Sequence, residues 1–266
     1  MIDVHAHVTV DVTAQLARAR SVGVDTTILL ATRVHPEAAG TVAELRAQLA
    51  GLGRVVAGAG DTEQAAAAAN AELRAALDVH PDTVGMWKVP LDTDDDRIAA
   101  QVLAAAGDPR IVGIGELTPP PGHAGRIESL LQACAALAST RSLPVLVHGF
   151  APNTAADLDE YARLAGAYPT VPVIIGAFGG LNSLQAVELA YSRRNLYLDL
   201  SSALQVFVVA AALRQIPEQC LFGSNTPYGD VAANLHVLEA ATRDPYVRDL
   251  ASSGNAARIF AIPILR

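Results

Sequence analysis

Eight short runs of apolar and β-branched residues recur along the chain, at Ile2–His5, Thr26–Leu30, Gly85–Val89, Ile111–Gly115, Pro144–His148, Val171–Gly176, Leu196–Leu200 and Cys220–Gly223. They are nearly continuous in hydrophobicity rather than alternating, the pattern of strands covered on both faces. Between them the spacing changes to that of helices. Ile127, Leu130, Leu131, Cys134 and Leu137, for example, share one face at i, i+3, i+4 and i+7 intervals. Thr154 followed three residues later by Asp157 reads as a capping box opening a helix after the fifth strand. Eight such units predict a single α/β domain over residues 1–266 with a (β/α)8 TIM barrel fold. A doubly wound sheet fits less well, because no G-x-G-x-x-G follows any strand. The segment from Val34 to Gly60, with the alanine run Ala65–Ala69 in the helix after it, exceeds a minimal connection and predicts an added helix over the barrel.

Composition narrows the partners. Nineteen basic against 27 acidic residues give a net charge of −8 with no Lys/Arg cluster, which supplies no footprint for nucleic acid or for an anionic membrane surface. The longest apolar run, Ala203 to Leu213, is interrupted by Gln205 and falls short of the ~20 residues of a membrane span. The start MIDVHAHVTV lacks a basic segment followed by an apolar one, so a cytoplasmic location is expected. Cys134 and Cys220 form no C-x-x-C and read as core residues. The expected partner is a small-molecule substrate, with a homodimer left open. Lys88 is the only lysine of the chain.

In a barrel of this kind chemistry gathers at the carboxyl ends of the strands. Strand one ends Asp3-Val4-His5-Ala6-His7, and a period of two points His5 and His7 to one side, as two imidazoles sharing a metal ion require. Strand four ends in Glu116 and strand five in His148. Each alone has a bland reading, a solvated loop carboxylate or a satisfied structural histidine, but they coincide at one level of the barrel. His35, His80, His123 and His236 fall in loops or helices and read as structural or surface residues. Lys88 follows strand three beside Trp87: either a surface lysine whose stem packs on that ring, or a cation for an anionic substrate.

Taken in order, Ile2-Asp3-x-His5-x-His7, Gly115-Glu116, Leu143-Pro144-Val145-x-Val147-His148, Val173-Ile174-Ile175-Gly176-x-x-Gly179-Gly180, Asn195-Leu196-Tyr197-x-Asp199 and Leu221-Phe222-Gly223-Ser224-x-x-Pro227 resemble the amidohydrolase superfamily. The nearest branch is the amidohydrolase-related one, which includes metal-dependent hydrolases and decarboxylases similar to aminocarboxymuconate semialdehyde decarboxylase. The resemblance implies a divalent ion, zinc above all, held by the H-x-H pair, the strand-five His and a strand-eight Asp, with a strand-six His assisting. Two of those positions differ here. The strand-six motif G-H-x-G-G matches Gly176-Ala177-Phe178-Gly179-Gly180, and the strand-eight motif F-G-S/T-D-x-P matches Phe222-Gly223-Ser224-Asn225-Thr226-Pro227. An amide at Asn225 offers an oxygen or a hydrogen bond but no negative charge and no base.

The expected metal set is therefore His5, His7, Glu116 and His148, with Glu116 and Asn225 as catalytic candidates. Lys88, Trp87, Phe150, Asn153, Phe178, Tyr228 and Asp230 are candidates to bind substrate. The resemblance implies a metal-dependent hydrolase cleaving the C–N or C–O bond of an amide, ester or lactone. A decarboxylase, lyase or cyclase, a noncatalytic ligand-binding relative, and a nuclease similar to the TatD deoxyribonucleases are the alternatives.

Overall fold

A computed structural model describes residues 1–59 and 62–264. In chain order the elements are β1 (Ile2–His7), α1 (Val12–Ser21), β2 (Thr26–Leu30), α2 (Val42–Val56), α3 (Glu63–Val79), β3 (Val84–Trp87), α4 (Asp95–Gly107), β4 (Ile111–Leu117), α5 (Glu128–Leu137) and β5 (Val145–Val147). They continue with α6 (Ala155–Ala167), β6 (Val173–Ile175), α7 (Ser183–Ser192), β7 (Leu196–Asp199), α8 (Val206–Gln215), β8 (Cys220–Leu221), α9 (Val231–Ala241), α10 (Pro245–Asp249) and α11 (Asn255–Phe260). The strands form one parallel sheet in the order β1 to β8. Closure is made by main-chain bonds between the first and last strands: Val4 N–H donates to Phe222 O, Asn225 N–H to His5 O and His7 N–H to Thr226 O. This is a (β/α)8 barrel. No helix among the described residues is long and apolar enough to cross a membrane.

Two apolar layers hold it. Inside the barrel, Ile2, Val4, Ile28, Leu30, Met86, Leu146, Ile174, Tyr197 and Leu221 pack together, and Phe260 of α11 joins them where Val84 and Val112 begin their strands. α11 therefore plugs the amino-terminal end. Outside, alternate strand residues such as Leu29, Ile114, Val145, Val147, Val173 and Leu198 meet the apolar faces of the helices, and Cys134 and Cys220 belong to this layer.

Two irregularities position the chemistry. Along β1, Asp3 is opposite Thr27 and Ala6 is opposite Leu29, so Val4 and His5 together face the single residue Ile28. This is a β-bulge, and it lets Val4 stay in the barrel interior while His5 and His7 also turn inward. Along β4, Ile114 is opposite Val145 and Leu117 is opposite Val147, so Gly115 and Glu116 together face Leu146. Gly115 has φ +148°, and a Cβ there would sit 2.7 Å from Leu146 O, so only glycine fits.

The expected extra helix is present as α2, opened by a capping box between Thr41 and Glu44. Gly60, the expected end of that segment, lies outside the described residues. The Thr154–Asp157 capping box is also formed, with reciprocal bonds at the start of α6. Several strands are shorter than their apolar runs: β3 ends at Trp87 and β5 at Val147, so Lys88 and His148 are the first residues beyond them.

Candidate functional site

The carboxyl end of the barrel opens into a cavity of about 520 Å³. At its floor His5 Nε2 and His7 Nε2 are 3.2 Å apart. Glu116 Oε2 is 3.9 Å from the first and 3.6 Å from the second. These three atoms are the metal-capable cluster among the described residues. The donor set fits an ion: ligands about 2.0–2.2 Å from one zinc stand roughly 3.4 Å from each other. The space fits too. The chain leaving β6 passes beside the cluster at Gly176, where a Cβ would lie 3.3 Å from Glu116 Oε1 and 3.5 Å from His5 Cε1.

His148 does not join this cluster as the sequence suggested. Its Nδ1 donates to Glu116 Oε1 at 2.8 Å and its Nε2 to Ala151 O at 3.3 Å. β5 ends one residue too early, and the following turn aims the ring at the carboxylate. Glu116 is thus divided, one oxygen on His148 and the other toward His5 and His7.

Asp199, at the end of β7, is the functional candidate that sequence reasoning passed over. Its Oδ2 accepts from His5 Nδ1 at 2.7 Å and from the Ala177 N–H at 3.0 Å, while Ser201 donates its N–H to Oδ1 and its hydroxyl to Oδ2. The carboxylate is wholly buried. Gly223 makes room for it, since a Cβ there would collide with Asp199 Oδ1. The anchor turns His5 Nε2 toward His7 and Glu116, as in a carboxylate–histidine–metal arrangement. His7 has no such anchor: Nδ1 is buried without a partner, and the ring stands edge-on to Tyr228 with centroids 5.4 Å apart.

Electrostatics follow from these contacts. Burial would lower the His5 pKa, but Asp199, with Glu116 and Asp3 behind it, raises it to about 9. Burial and the neighbouring His5 drive His7 down to about 3. Burial would raise Glu116, yet His148, His5 and His7 hold it well below the ordinary carboxylate range. His148 is raised, because Glu116 and the Ala151 carbonyl outweigh its burial. Two imidazole nitrogens face each other across 3.2 Å, and a carboxylate sits beside them. Charge and lone pairs together make this a place that could hold a divalent cation.

Of the remaining sequence candidates, Lys88, Phe150, Tyr228 and Asn225 line the cavity. Lys88 Nζ reaches Glu116 O at 3.5 Å, and Asn70 of α3 clasps the Lys88 main chain, donating to its C=O at 2.8 Å and accepting from its N–H at 2.9 Å. The Asn225 backbone is left-handed, φ +52°, and its amide donates to Ser202 Oγ at 3.0 Å.

Four candidates stand elsewhere. Trp87 faces outward under the Arg74 guanidinium, 4.7 Å from its ring, because neighbours on a strand point to opposite sides. Asn153 is buried against His148 O and the Tyr161 hydroxyl. Phe178 lies in the outer apolar layer, and Asp230 caps α9 while pairing with Arg18. Ala177 is a buried methyl. None of His35, His80, His123 and His236 lines the cavity. The wall opposite the floor, unforeseen in detail, comes from α2 and α3 through Leu52, Val55, Val56, Ala65 and Ala69.

A model of the amidohydrolase family matches residues 2–262. No curated protein sequence matches the chain. Among solved structures, the fold is similar to 2,6-dihydroxybenzoate decarboxylase complexed with 2,6-dihydroxybenzoate, at 14% identity, 98% coverage of both chains and TM-score 0.69. It is similar to a dihydroxybenzoic acid decarboxylase from Polaromonas sp. JS666 with bound manganese and 2-nitroresorcinol, at 14% identity, 99% of this chain, 97% of that chain and TM-score 0.69. It also resembles 5-carboxyvanillate decarboxylase from Sphingomonas paucimobilis, at 17% identity, 94% of this chain, 83% of that chain and TM-score 0.64.

Proposed function

This chain belongs to the amidohydrolase family, and from that premise we propose that it removes carbon dioxide from a small carboxylic acid with a divalent ion held by His5, His7 and Glu116. The observation that carries the reading is the amide at Asn225. Hydrolysis needs a base to take a proton from water, and the strand-eight position offers an amide turned onto Ser202 instead. Glu116 is a poor substitute, being hydrogen-bonded to His148 and held strongly acidic.

Decarboxylation asks for different groups. The C–C bond breaks, its electron pair stays on the substrate carbon, and a proton must arrive there. Lys88 faces the cavity as a cation for the carboxylate or a neighbouring oxygen. His148 points both ring nitrogens at acceptors, a carboxylate and a carbonyl, so both carry protons and the ring, which lines the cavity, can serve as a donor. Asp199 fixes the orientation of His5, and α2 and α3 give the cavity an apolar wall. When bound, the ion supplies positive charge that draws electron density from the substrate oxygens. Two imidazoles and one carboxylate suit zinc, to be tested beside manganese. Decarboxylases with the same barrel agree with this reading.

The test is the protein loaded with zinc or manganese, assayed on a panel of aromatic and unsaturated carboxylic acids for carbon dioxide release, and on esters, lactones and amides for hydrolysis. Carbon dioxide release lost in His148→Gln is expected. Hydrolysis without carbon dioxide release would reject the proposal in favour of an amidohydrolase in the literal sense.

A further inference from the structure

Resting on the decarboxylase reading, we infer that the substrate is a monocarboxylic acid whose apolar body is larger than one ring, and that Leu52, Val55 and Val56 of α2 select it. The cavity is divided by chemistry. His7, Lys88, Glu116, His148 and Asn225 occupy the barrel end, while α2 and the start of α3 contribute aliphatic side chains and alanines. The α2 residues on the described lining are Leu52, Val55 and Val56, so a second carboxylate on the body of the ligand would meet no cation there. Arg33 is turned onto Glu72 and His148 onto Glu116, so among the described residues Lys88 is the lining cation without a carboxylate partner.

Size decides the rest. A cavity of about 520 Å³ lies in the ~300–1,000 Å³ range of sites for drug-sized ligands, so a one-ring acid seated at Lys88 leaves the α2 wall uncovered. α2 itself asks for a cover. Val42, Leu45, Leu49, Leu52 and Val56 recur at alternating intervals of three and four, yet no α2 residue is buried. Its carboxyl-terminal half turns toward the cavity. Two contacts keep it there: Gln48 accepts the His35 N–H at 3.2 Å, and Gly58, φ +72°, abuts Pro120 so closely that a Cβ would lie 2.4 Å from its ring.

The experiment is calorimetric titration of the metal-loaded protein with benzoate, 2-naphthoate and biphenyl-4-carboxylate. Affinity should rise about tenfold from benzoate to 2-naphthoate, the value of roughly 55 Å² of further apolar burial. Leu52→Asn and, as a milder change, Val55→Ser should remove that gain, so that 2-naphthoate binds no more tightly than benzoate to either variant, with circular dichroism confirming the fold. Leu45→Asp, on the exposed part of the same helix, should leave the whole series unchanged, and Lys88→Met should weaken all three acids alike. Equal affinities across the series, a gain that survives both cavity-side variants, or no binding of any acid at millimolar concentration would overturn the inference. Graded binding without carbon dioxide release from any acid would reject the decarboxylase reading and leave the selectivity of α2 standing.

Discussion

Asp199 Oδ2 accepts the His5 Nδ1 proton at 2.7 Å, and this contact decides which nitrogen of His5 faces His7 and Glu116. The same carboxylate is bound by Ser201 and by the main chain of Ala177, so it cannot swing away without breaking four hydrogen bonds. Among the described residues His7 has no carboxylate behind it: its Nδ1 is without a partner, and it is oriented by the contacts of Nε2 with His5 and Glu116 and by packing against Tyr228. The two imidazoles of the H-x-H pair are therefore unequal in rigidity.

Replacing Asp199 tests that inequality. Asp199→Asn keeps the size but removes the charge that orients and polarises His5, and zinc or manganese affinity should fall about 10–100-fold. Competition titration against a chelator measures it. An unchanged affinity in a folded variant would show that the carboxylate serves the fold only.

Gly115→Ala probes the β4 bulge. A methyl at φ +148° and 2.7 Å from Leu146 O forces the bulge to move, with an expected loss of at least about 2 kcal/mol. Glu116 is the next residue, so metal affinity should fall with it. Denaturant unfolding and metal titration together read both effects.

Asn225→Asp places a carboxylate on the loop after β8, in the position of the family's missing ligand. The metal should bind more tightly, by about an order of magnitude for an added charge close to a dication. Carbon dioxide release should fall, while hydrolysis of simple esters or lactones should appear. Activity on both panels before and after the change decides between a rebuilt site and a disabled hydrolase.

The thiols give a pH prediction remote from the cavity. Burial pushes Cys134 and Cys220 up to about 12. In the unfolded chain they ionise near their ordinary value of 9, so above that pH the unfolded state binds fewer protons than the folded one. Stability should fall as pH rises from 9 toward 12, by about 1.4 kcal/mol per thiol at pH 10. Cys134→Ala and Cys220→Ala should flatten the decline. At pH 8 neither thiol should react with a disulfide reagent until the protein is unfolded.

Much of this was legible in the sequence, and what was not has identifiable causes. The eight apolar runs gave the barrel, and the two-residue period gave His5 and His7 a common side. The bulges that allow Val4 and Glu116 to face inward depend on the register of β2 and β5, which no single strand's pattern contains. The partner of His148 depends on where β5 stops, and its apolar run reads longer than the strand. Trp87 and Asp199 are different, because the signal was present. Trp87 and Lys88 are adjacent and could not both face the mouth. Tyr197 lies inside the barrel, so Asp199, two residues on, shares its side.

The seam that closes the barrel ties His5 O to the amide of Asn225 and the His7 amide to Thr226 O. Residues 5 and 225 become neighbours only when the first and last strands meet, so the cavity floor comes into being at the moment of closure. Ion binding to His5 and His7 then acts as a clasp on that joint. Amide hydrogens of His7 and Asn225 will exchange more slowly with solvent as the ion is added, while those in the middle of the sheet keep their rates, since occupancy reports on the opening of one seam rather than on the barrel as a whole.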